Sequence, residues 1–460
     1  MQYERGSPQS YDQWAKITGD RTWKYEQILK YFKKMEEYLG ISTKEGNGDM
    51  NDGTLNLTLG QEIWFNAGRE LGFTIFNFSE PQRVGFHPLR FTQKNGMRIN
   101  TYAAFLKTIE ETRKTFLEIR RYSIVSKILF EGKRATGVYY TRHGIPRVAS
   151  AMKEVIICAG TFKTPILLIK SGIGSESQLR AANVGPIIAI LPEVGRNLQD
   201  HPIVQIGPIS FDDNITLWNP QQNFTFEDVE QFFKFKKGPL TNPYELKFGE
   251  AIVASNGSAR EVGPGWPDLQ ISFDSVKCTI RLIRSHSRGL LKFNSSATGI
   301  EDPFFLTAEF KFFKIDRDID AMIQGIDFCF KVVESTESFQ KFGAKHVHQS
   351  IAECDHEEFG SKEYWTCYVK HTAGLSYSAV GTCRMGKKYE LDPPRSSVVD
   401  HKLRVHDVEN LRIVDASVMP TIPNANVAAA TMMIAEKSSD IIINHYCRKN
   451  SKLCETKNKS

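Results

Sequence analysis

The stretch GTFKTPILLIKSGIG, residues 160–174, decides the fold of this chain. It follows the apolar run VIICA at residues 155–159, whose length suits a buried strand. Glycine at 160 allows a tight turn after that strand, Pro165 falls early in the helix that follows, and Gly172 ends the helix. Such a unit presents backbone N–H groups to a ligand at the helix N-terminus. On topology alone, an ordinary strand–helix unit of an α/β domain is an equally good interpretation.

The composition is that of a globular protein. The chain has 460 residues, of which 41% are hydrophobic and 11% aromatic, enough for one large two-lobed domain or two to three ordinary ones. The longest apolar runs, at 155–159 and 187–191, are far too short to span a bilayer. The net charge of +6 is spread along the chain, apart from a basic tail at 448–460. We therefore expect no transmembrane segment and no nucleic-acid partner.

The spacing of apolar residues divides the rest of the chain into helices and strands. Residues 124–130 and 135–140 predict two strands joined by a short turn. Residues 205–370 are richer in aromatic residues and polar alternation, which favours a second lobe built on an antiparallel sheet. The same spacing predicts helices near 10–40, 59–72, 98–112, 225–236, 317–334 and 427–445, and strands near 116–119, 251–255, 268–274 and 305–312.

Three further blocks stand in a fixed order with the first stretch. They are VGRNLQDHP at 194–202, GTCRMG at 381–386 and NLRIVDASVMPTIPNAN at 410–426. Together with residues 160–174, these blocks resemble the glucose–methanol–choline (GMC) family of flavin oxidoreductases. The resemblance extends over nearly the whole chain and is weakest at residues 205–350. A match of fifteen consecutive positions is far more specific than a single glycine-rich loop.

The resemblance implies an α/β fold with an α+β second lobe. It implies an incomplete Rossmann-like domain for FAD and a substrate domain on an antiparallel sheet. The implied division is an FAD-binding region at 1–204, a substrate-binding lobe at 205–370, a segment returning to the FAD domain at 371–447, and the tail. The positions that match the family's FAD contacts are Val125, Ala159, Gly160, Asp415, Ala416, Asn426 and Val427.

The implied chemistry is hydride transfer from an alcohol carbon to the flavin, with a histidine taking the hydroxyl proton. Asn426 matches the residue that bonds the substrate oxygen, whereas Ser378 stands where the family has its histidine. A serine hydroxyl has no proton-accepting state near pH 7. His201 is an alternative histidine, but the sequence favours a buried structural role for it. No residues are assigned to a metal.

The residues before the first helix lack a glycine-rich loop. The dinucleotide fingerprint needs a strand, a glycine-rich loop and a helix within about 30 residues, and no glycine cluster occurs before residue 20. We therefore expect that Met1 is an internal methionine of a longer protein and that the chain as written is impaired. The alternative is a non-catalytic protein of the GMC fold or an inactive fragment.

Cysteines and sequons indicate the compartment and the branch of the family. Cys354 and Cys367 lie close enough in sequence to pair across a loop, although reduced cysteines are an equally good interpretation. With Tyr364 between them, they resemble the insect glucose-dehydrogenase-like branch, which includes enzymes of sugars and of ecdysteroids. Seven Asn-x-Ser/Thr sequons favour a secreted protein. The expected partners are a small alcohol, sugar or steroid and an unknown electron acceptor.

Overall fold

A computed structural model describes residues 2–36, 59–76, 81–94, 96–212, 225–241, 248–273, 276–293, 306–391 and 394–449. The helices are α1 (Pro8–Thr18), α2 (Tyr25–Met35), α3 (Leu59–Glu70), α4 (Gly160–Lys170), α5 (Glu176–Ala181), α6 (Phe226–Phe235), α7 (Asn256–Val262), α8 (Asp316–Ser335), α9 (Glu337–Gln340), α10 (Lys362–Thr372) and α11 (Val427–Lys449). The first predicted helical region is two helices, because Gly19, with φ at 71°, ends α1.

The strands form one large sheet and several small ones. They are β1 (Gly85–His87), β2 (Gln93–Lys94), β3 (Met97–Arg98), β4 (Ser123–Glu131), β5 (Arg134–Arg142), β6 (Ile145–Ser150), β7 (Val155–Ile157), β8 (Ile173–Gly174), β9 (Ala189–Ile190), β10 (Arg196–Leu198), β11 (Pro202–Ile206), β12 (Ile209–Ser210), β13 (Gly249–Val253), β14 (Leu269–Phe273), β15 (Cys278–Leu282), β16 (Gly289–Phe293), β17 (Leu306–Glu309), β18 (Lys345–His346), β19 (Gly374–Leu375), β20 (Tyr389–Leu391), β21 (Pro394–Ser396) and β22 (Leu411–Ile413).

The first lobe joins the middle of the chain to its C-terminal part. Strand β7 pairs in parallel with β22, so that Ile157 lies beside Ile413. Strands β4, β5 and β6 form an antiparallel sheet next to this pair, and α4 is tied to β4 because the Ile128 N–H donates to Ser171 Oγ at 2.9 Å. A single apolar core contains α1, α2, α4, β22 and α11. The prediction of an α/β fold is confirmed.

The second lobe is a six-stranded antiparallel sheet in the order β1–β13–β14–β15–β11–β19. One face of it packs on α8 and α3 in a second apolar core that includes Trp64, Phe273 and Met322. The disulfide between Cys278 and Cys329 joins β15 to α8. The predicted antiparallel sheet is confirmed, but α3 and β1 lie within the predicted region 1–204 and pack here, because their aromatic side chains are buried in this core.

Some local predictions are wrong and others were incomplete. Residues 98–112 form a short π-helix at Tyr102–Leu106 followed by turns, and none of its side chains is buried, so no packing extends it into a longer helix. Residues 116–119 lie in no strand. The sequence also missed β6 and the disulfide of Cys278, whereas the pair Cys354–Cys367 is bonded. Helix α11 runs to Lys449, and residues 450–460 of the tail lie outside the described residues.

Candidate cofactor and active site

The turn between β7 and α4 is the first part of the site. Gly160 has φ at +80°, and a Cβ placed there would meet no atom within 4 Å, so the turn is open on its outer side. Its N–H donates to Asp415 Oδ2 at 2.9 Å, and the Thr164 hydroxyl donates to the same oxygen at 2.6 Å. Asp415 Oδ1 accepts the N–H of Ser417 at 2.8 Å. A single buried carboxylate thus fixes the helix N-terminus against the end of β22.

Three further predicted FAD contacts are Ala159, Ala416 and Val125. Ala159 precedes Gly160, and Ala416 follows Asp415 and accepts the Gly381 N–H through its carbonyl at 3.2 Å. Val125 lies on β4 opposite Tyr140 and is 40% exposed, although it is an apolar residue in the middle of a strand. The structure therefore brings Gly160 and Asp415 into direct contact and places Val125 on the strand next to α4.

The second part of the site is the loop that carries Ser378. Asp200 Oδ1 accepts three hydrogen bonds, from the His201 N–H at 2.7 Å, the Ser376 hydroxyl at 2.8 Å and the Ser378 N–H at 2.9 Å. Between the two serines, Tyr377 has φ at +57° and is 91% exposed. A positive φ is uncommon outside glycine and often marks functional loops. The carboxylate of Asp200 holds this loop in place.

Asp200 itself is a partly satisfied buried acid. Its side chain is 2% exposed, and Oδ2 has no hydrogen-bond partner within the described part of the chain. Burial raises the pKa of Asp200, and the bonds from Ser376, Ser378 and His201 oppose that rise. Sequence reasoning missed this role of Asp200. The sequence offered one hint of this role: Asp200 stands directly before His201 in the block VGRNLQDHP at 194–202.

His201 is a buried neutral histidine. Its Nε2 lies 3.1 Å from the Pro423 carbonyl oxygen, which can only accept, so the proton is on Nε2. Burial, and to a smaller extent the charge of Arg281, lowers the pKa of His201 to about 3. Nδ1 has no hydrogen-bond partner among the residues described. The bond to a backbone carbonyl supports the structural role that the sequence favoured.

Asn426 stands at the start of α11, next to Val427. The amide nitrogen Nδ2 of Asn426 is buried and has no partner within the described ranges. The preceding turn is rigid because Asn424 Oδ1 accepts the Ser7 N–H and the Ser10 hydroxyl, each at 2.9 Å. A buried donor without a partner is costly, so an acceptor from a ligand would satisfy Asn426.

These three places suit a flavin dinucleotide. The turn at Gly160 is open to an incoming group, Val125 offers an exposed apolar surface, and Asn426 offers a free buried donor. No helix in the described ranges has the length and apolar character that crossing a bilayer requires.

Comparison with known proteins agrees with this architecture. The family models described as GMC oxidoreductase match residues 1–203 and 285–435. The chain is 27% identical to glucose dehydrogenase [FAD, quinone] of Drosophila melanogaster, over 96% of this chain and 72% of that protein. It is 30% identical to oxygen-dependent choline dehydrogenase 1 of Chromohalobacter salexigens, over 96% of this chain and 78% of that protein.

A solved structure shares the fold. The FAD-dependent oxidoreductase from Chaetomium thermophilum superposes with a TM-score of 0.81 at 20% identity, over 96% of this chain and 84% of that one. At this identity the likeness concerns the fold alone. The two family models and the relative at 30% identity decide the family: this chain belongs to the GMC oxidoreductases.

Proposed function

We propose that this protein is an FAD-dependent oxidoreductase that oxidises a CH–OH group of an alcohol, a sugar or a steroid. The observation that carries the proposal is the contact of Gly160 with Asp415, which forms an open turn at a helix N-terminus inside a chain of this family. When bound, FAD supplies the acceptor for the hydride that leaves the alcohol carbon. The electron acceptor that reoxidises it is unknown.

The residues that would hold FAD divide into three groups. Val125, Ala159 and Gly160 would lie at the adenosine, with Ala159 and Gly160 in the turn after β7 and Val125 on β4. Asp415 and Ala416 would lie near the pyrophosphate, where Asp415 acts by fixing the α4 N-terminus rather than by direct contact of its charge. Asn426 and Val427 would lie at the isoalloxazine ring.

Proton removal distinguishes this chain from its family. The Asn426 amide donates to the substrate oxygen, which orients the carbinol and stabilises charge on that oxygen. The hydroxyl proton then needs a base, and Ser378 offers only a hydroxyl. We propose that the proton passes slowly to solvent and that oxidation is impaired. A non-catalytic role in binding is the second candidate, favoured by the same serine.

Branch and compartment are further proposals. The disulfide of Cys354 and Cys367 encloses Tyr364 and supports the insect glucose-dehydrogenase-like branch, including an ecdysteroid as the substrate. Two disulfides in the described residues support an oxidising compartment and hence secretion. Of the seven sequons, only Asn256 lies within the described residues. Expression in a secretory host, followed by glycosidase treatment, tests whether the sequons are used.

The direct test has two steps. The purified chain is incubated with FAD and desalted, and the flavin absorbance that remains is measured. A loaded protein is then mixed anaerobically with a sugar, a simple primary alcohol and a steroid alcohol. Bleaching of the flavin by any of them supports oxidation. Retained flavin without bleaching favours the binding role, and loss of all flavin contradicts the proposal for this chain.

A further inference from the structure

The six-stranded sheet has an apolar face and a polar face. The strands alternate, because neighbouring residues of a strand point to opposite faces. Ile271 and Ile280 lie opposite each other on the face that packs on α8. The other face carries Ile203 and Ile252, and its remaining paired side chains are mostly polar: His87, Gln205, Glu250, Gln270, Ser272, Thr279 and Arg281.

The centre of the polar face is buried at Glu250, Gln270, Ser272 and Thr279, which is unusual, whereas Arg281 and His87 are partly exposed and Gln205 is exposed. An antiparallel sheet with one apolar face ordinarily turns its polar face to water. Here Glu250 is 4% exposed and Gln270 is 1% exposed. Part of the cover is the N-terminal segment, since Gln2 Nε2 donates to Glu250 Oε2 at 2.8 Å. Burying polar groups costs free energy unless partners are present, so each group on this face needs a partner from the chain or from a ligand.

Most of these groups have partners, but Arg281 forms no hydrogen bond with a carboxylate of the described residues. The Gln270 amide is fixed in one orientation: Nε2 donates to Glu250 at 2.5 Å and to Glu4 at 3.3 Å, while Oε1 accepts from Arg281. The amide therefore separates both carboxylates from the guanidinium. Arg281 Nε is buried without a partner, and the guanidinium forms no salt bridge with a carboxylate of the described residues.

Arg281 lies at the end of the sheet from which the active-site loop departs. It pairs with Ile203 of β11, and Pro202 pairs with Leu375 of β19. The chain then continues from Leu375 directly to Ser378, whose N–H bonds to Asp200. The positive charge acts on the same place, because Arg281 opposes the burial-driven rise in the pKa of Asp200.

We propose that Arg281 binds an anionic substituent of the substrate, so that the protein takes an alcohol that carries a carboxylate. This deepens the proposed function and rests on it for the oxidation, though not for the binding. The buried Nε of Arg281 has no hydrogen-bond partner among the described residues, which is unfavourable by itself, and the planar guanidinium matches a carboxylate in two parallel hydrogen bonds. An uncharged steroid would leave Nε without an acceptor.

The binding test compares matched ligands. D-Gluconate and D-glucitol differ at the carboxylate, as do 3-hydroxybutyrate and 2-butanol. Isothermal titration of the full chain should give about 10–100-fold tighter binding of each acid than of its neutral match, the range for a charge-assisted hydrogen bond. Arg281→Gln should abolish the difference, and Arg281→Lys should keep part of it.

Controls separate this result from unfolding and from net charge. Arg180 is exposed and already paired with Glu176 on α5, so Arg180→Gln changes the net charge equally and should leave the difference intact. The midpoint of thermal unfolding shows whether Arg281→Gln remains folded. If it does not, the binding comparison is made with Arg281→Lys instead. Equal dissociation constants for acid and neutral match in the unaltered chain overturn the inference.

Flavin reduction separates this inference from the proposed function. If the acids bind through Arg281 but no alcohol bleaches bound flavin, oxidation is wrong and the anion site stands. If both members of a pair bleach the flavin with equal KM, oxidation stands and the anion site is overturned. The inference is supported in full when the acids have the lower KM and Arg281→Gln raises only their KM, by about 10–100-fold.

Discussion

The turn at Gly160 and the polar face of the six-stranded sheet differ in how their charges are satisfied. Asp415 uses both oxygens on groups of the chain itself, in three hydrogen bonds. Arg281 has one bond, to an amide, and a buried Nε with no partner in the described ranges. A carboxylate whose oxygens are satisfied by its own chain supports the fold, whereas a guanidinium whose buried Nε lacks an acceptor can still take one from a ligand.

Replacing Ser378 by histidine should have the largest effect. A positioned general base is worth about 10²–10⁴-fold in rate, so Ser378→His should raise the rate of flavin reduction by an alcohol over that range. The measurement is stopped-flow reduction of the loaded protein. Ser376→His is the matched control, since Ser376 bonds to the same Asp200. Equal rates of flavin reduction in the unaltered protein and in Ser378→His would show that proton removal does not limit the reaction.

Removing the Cys278–Cys329 disulfide should have the second largest effect. Cys278 and Cys329 are 51 residues apart, and Cys354 and Cys367 are 13 apart. Chain entropy gives about 4 kcal/mol for the first and about 3 kcal/mol for the second. In urea unfolding, the double variant Cys278→Ala/Cys329→Ala should therefore lose more stability than Cys354→Ala/Cys367→Ala. If the second lobe and the turn at Gly160 are independent, the amount of retained flavin should not change. Loss of both stability and flavin would contradict that independence.

Replacing Asp415 by alanine should destabilise the turn at Gly160. Asp415→Ala leaves the N–H groups of Gly160 and Ser417 without their acceptor, at a cost of about 3 kcal/mol for the two. Unfolding in urea measures the loss, and desalting after incubation with FAD measures cofactor retention. Asp407→Ala is the control, because that carboxylate is partly exposed and bonds to Lys388. A stable Asp415→Ala protein that retains FAD would show that the turn does not depend on this carboxylate.

The smallest expected effect is a pH dependence from His201. Its pKa is about 3 in the folded protein, against an ordinary value of about 6.5 in the unfolded chain. As the pH falls below about 6.5, only the unfolded state takes up the proton, so the free energy of unfolding decreases by at most about 1.4 kcal/mol per pH unit, down to pH 3.

The variant His201→Gln removes this titration. Its free energy of unfolding, measured from pH 7 to pH 5, should depend less on pH than that of the unaltered protein. His356→Gln, at an exposed histidine, should leave the dependence as it is. An unchanged slope in His201→Gln would mean that other groups carry the acid sensitivity.

Features whose residues lie close together in sequence could be predicted, and features whose residues lie far apart could not. The strand, turn and helix around Gly160 were readable because all three lie within about 20 consecutive positions. Residues 98–112 misled because their helical spacing has no core to pack on, and packing rather than propensity supports most helices. The role of Asp200 was not readable, because its partners Ser376 and Ser378 are 176 and 178 residues away.

The sequence by itself determined the family, through blocks whose order and spacing are local, and the serine at position 378. It also carried the alternation of β14 and β15, which sets the two faces of the sheet. Only the tertiary structure decided that Asp415 reaches Gly160 across 255 positions and that Gln270 keeps two carboxylates away from Arg281. Backbone preferences act between near neighbours, whereas the pairing of charges depends on which strands come together.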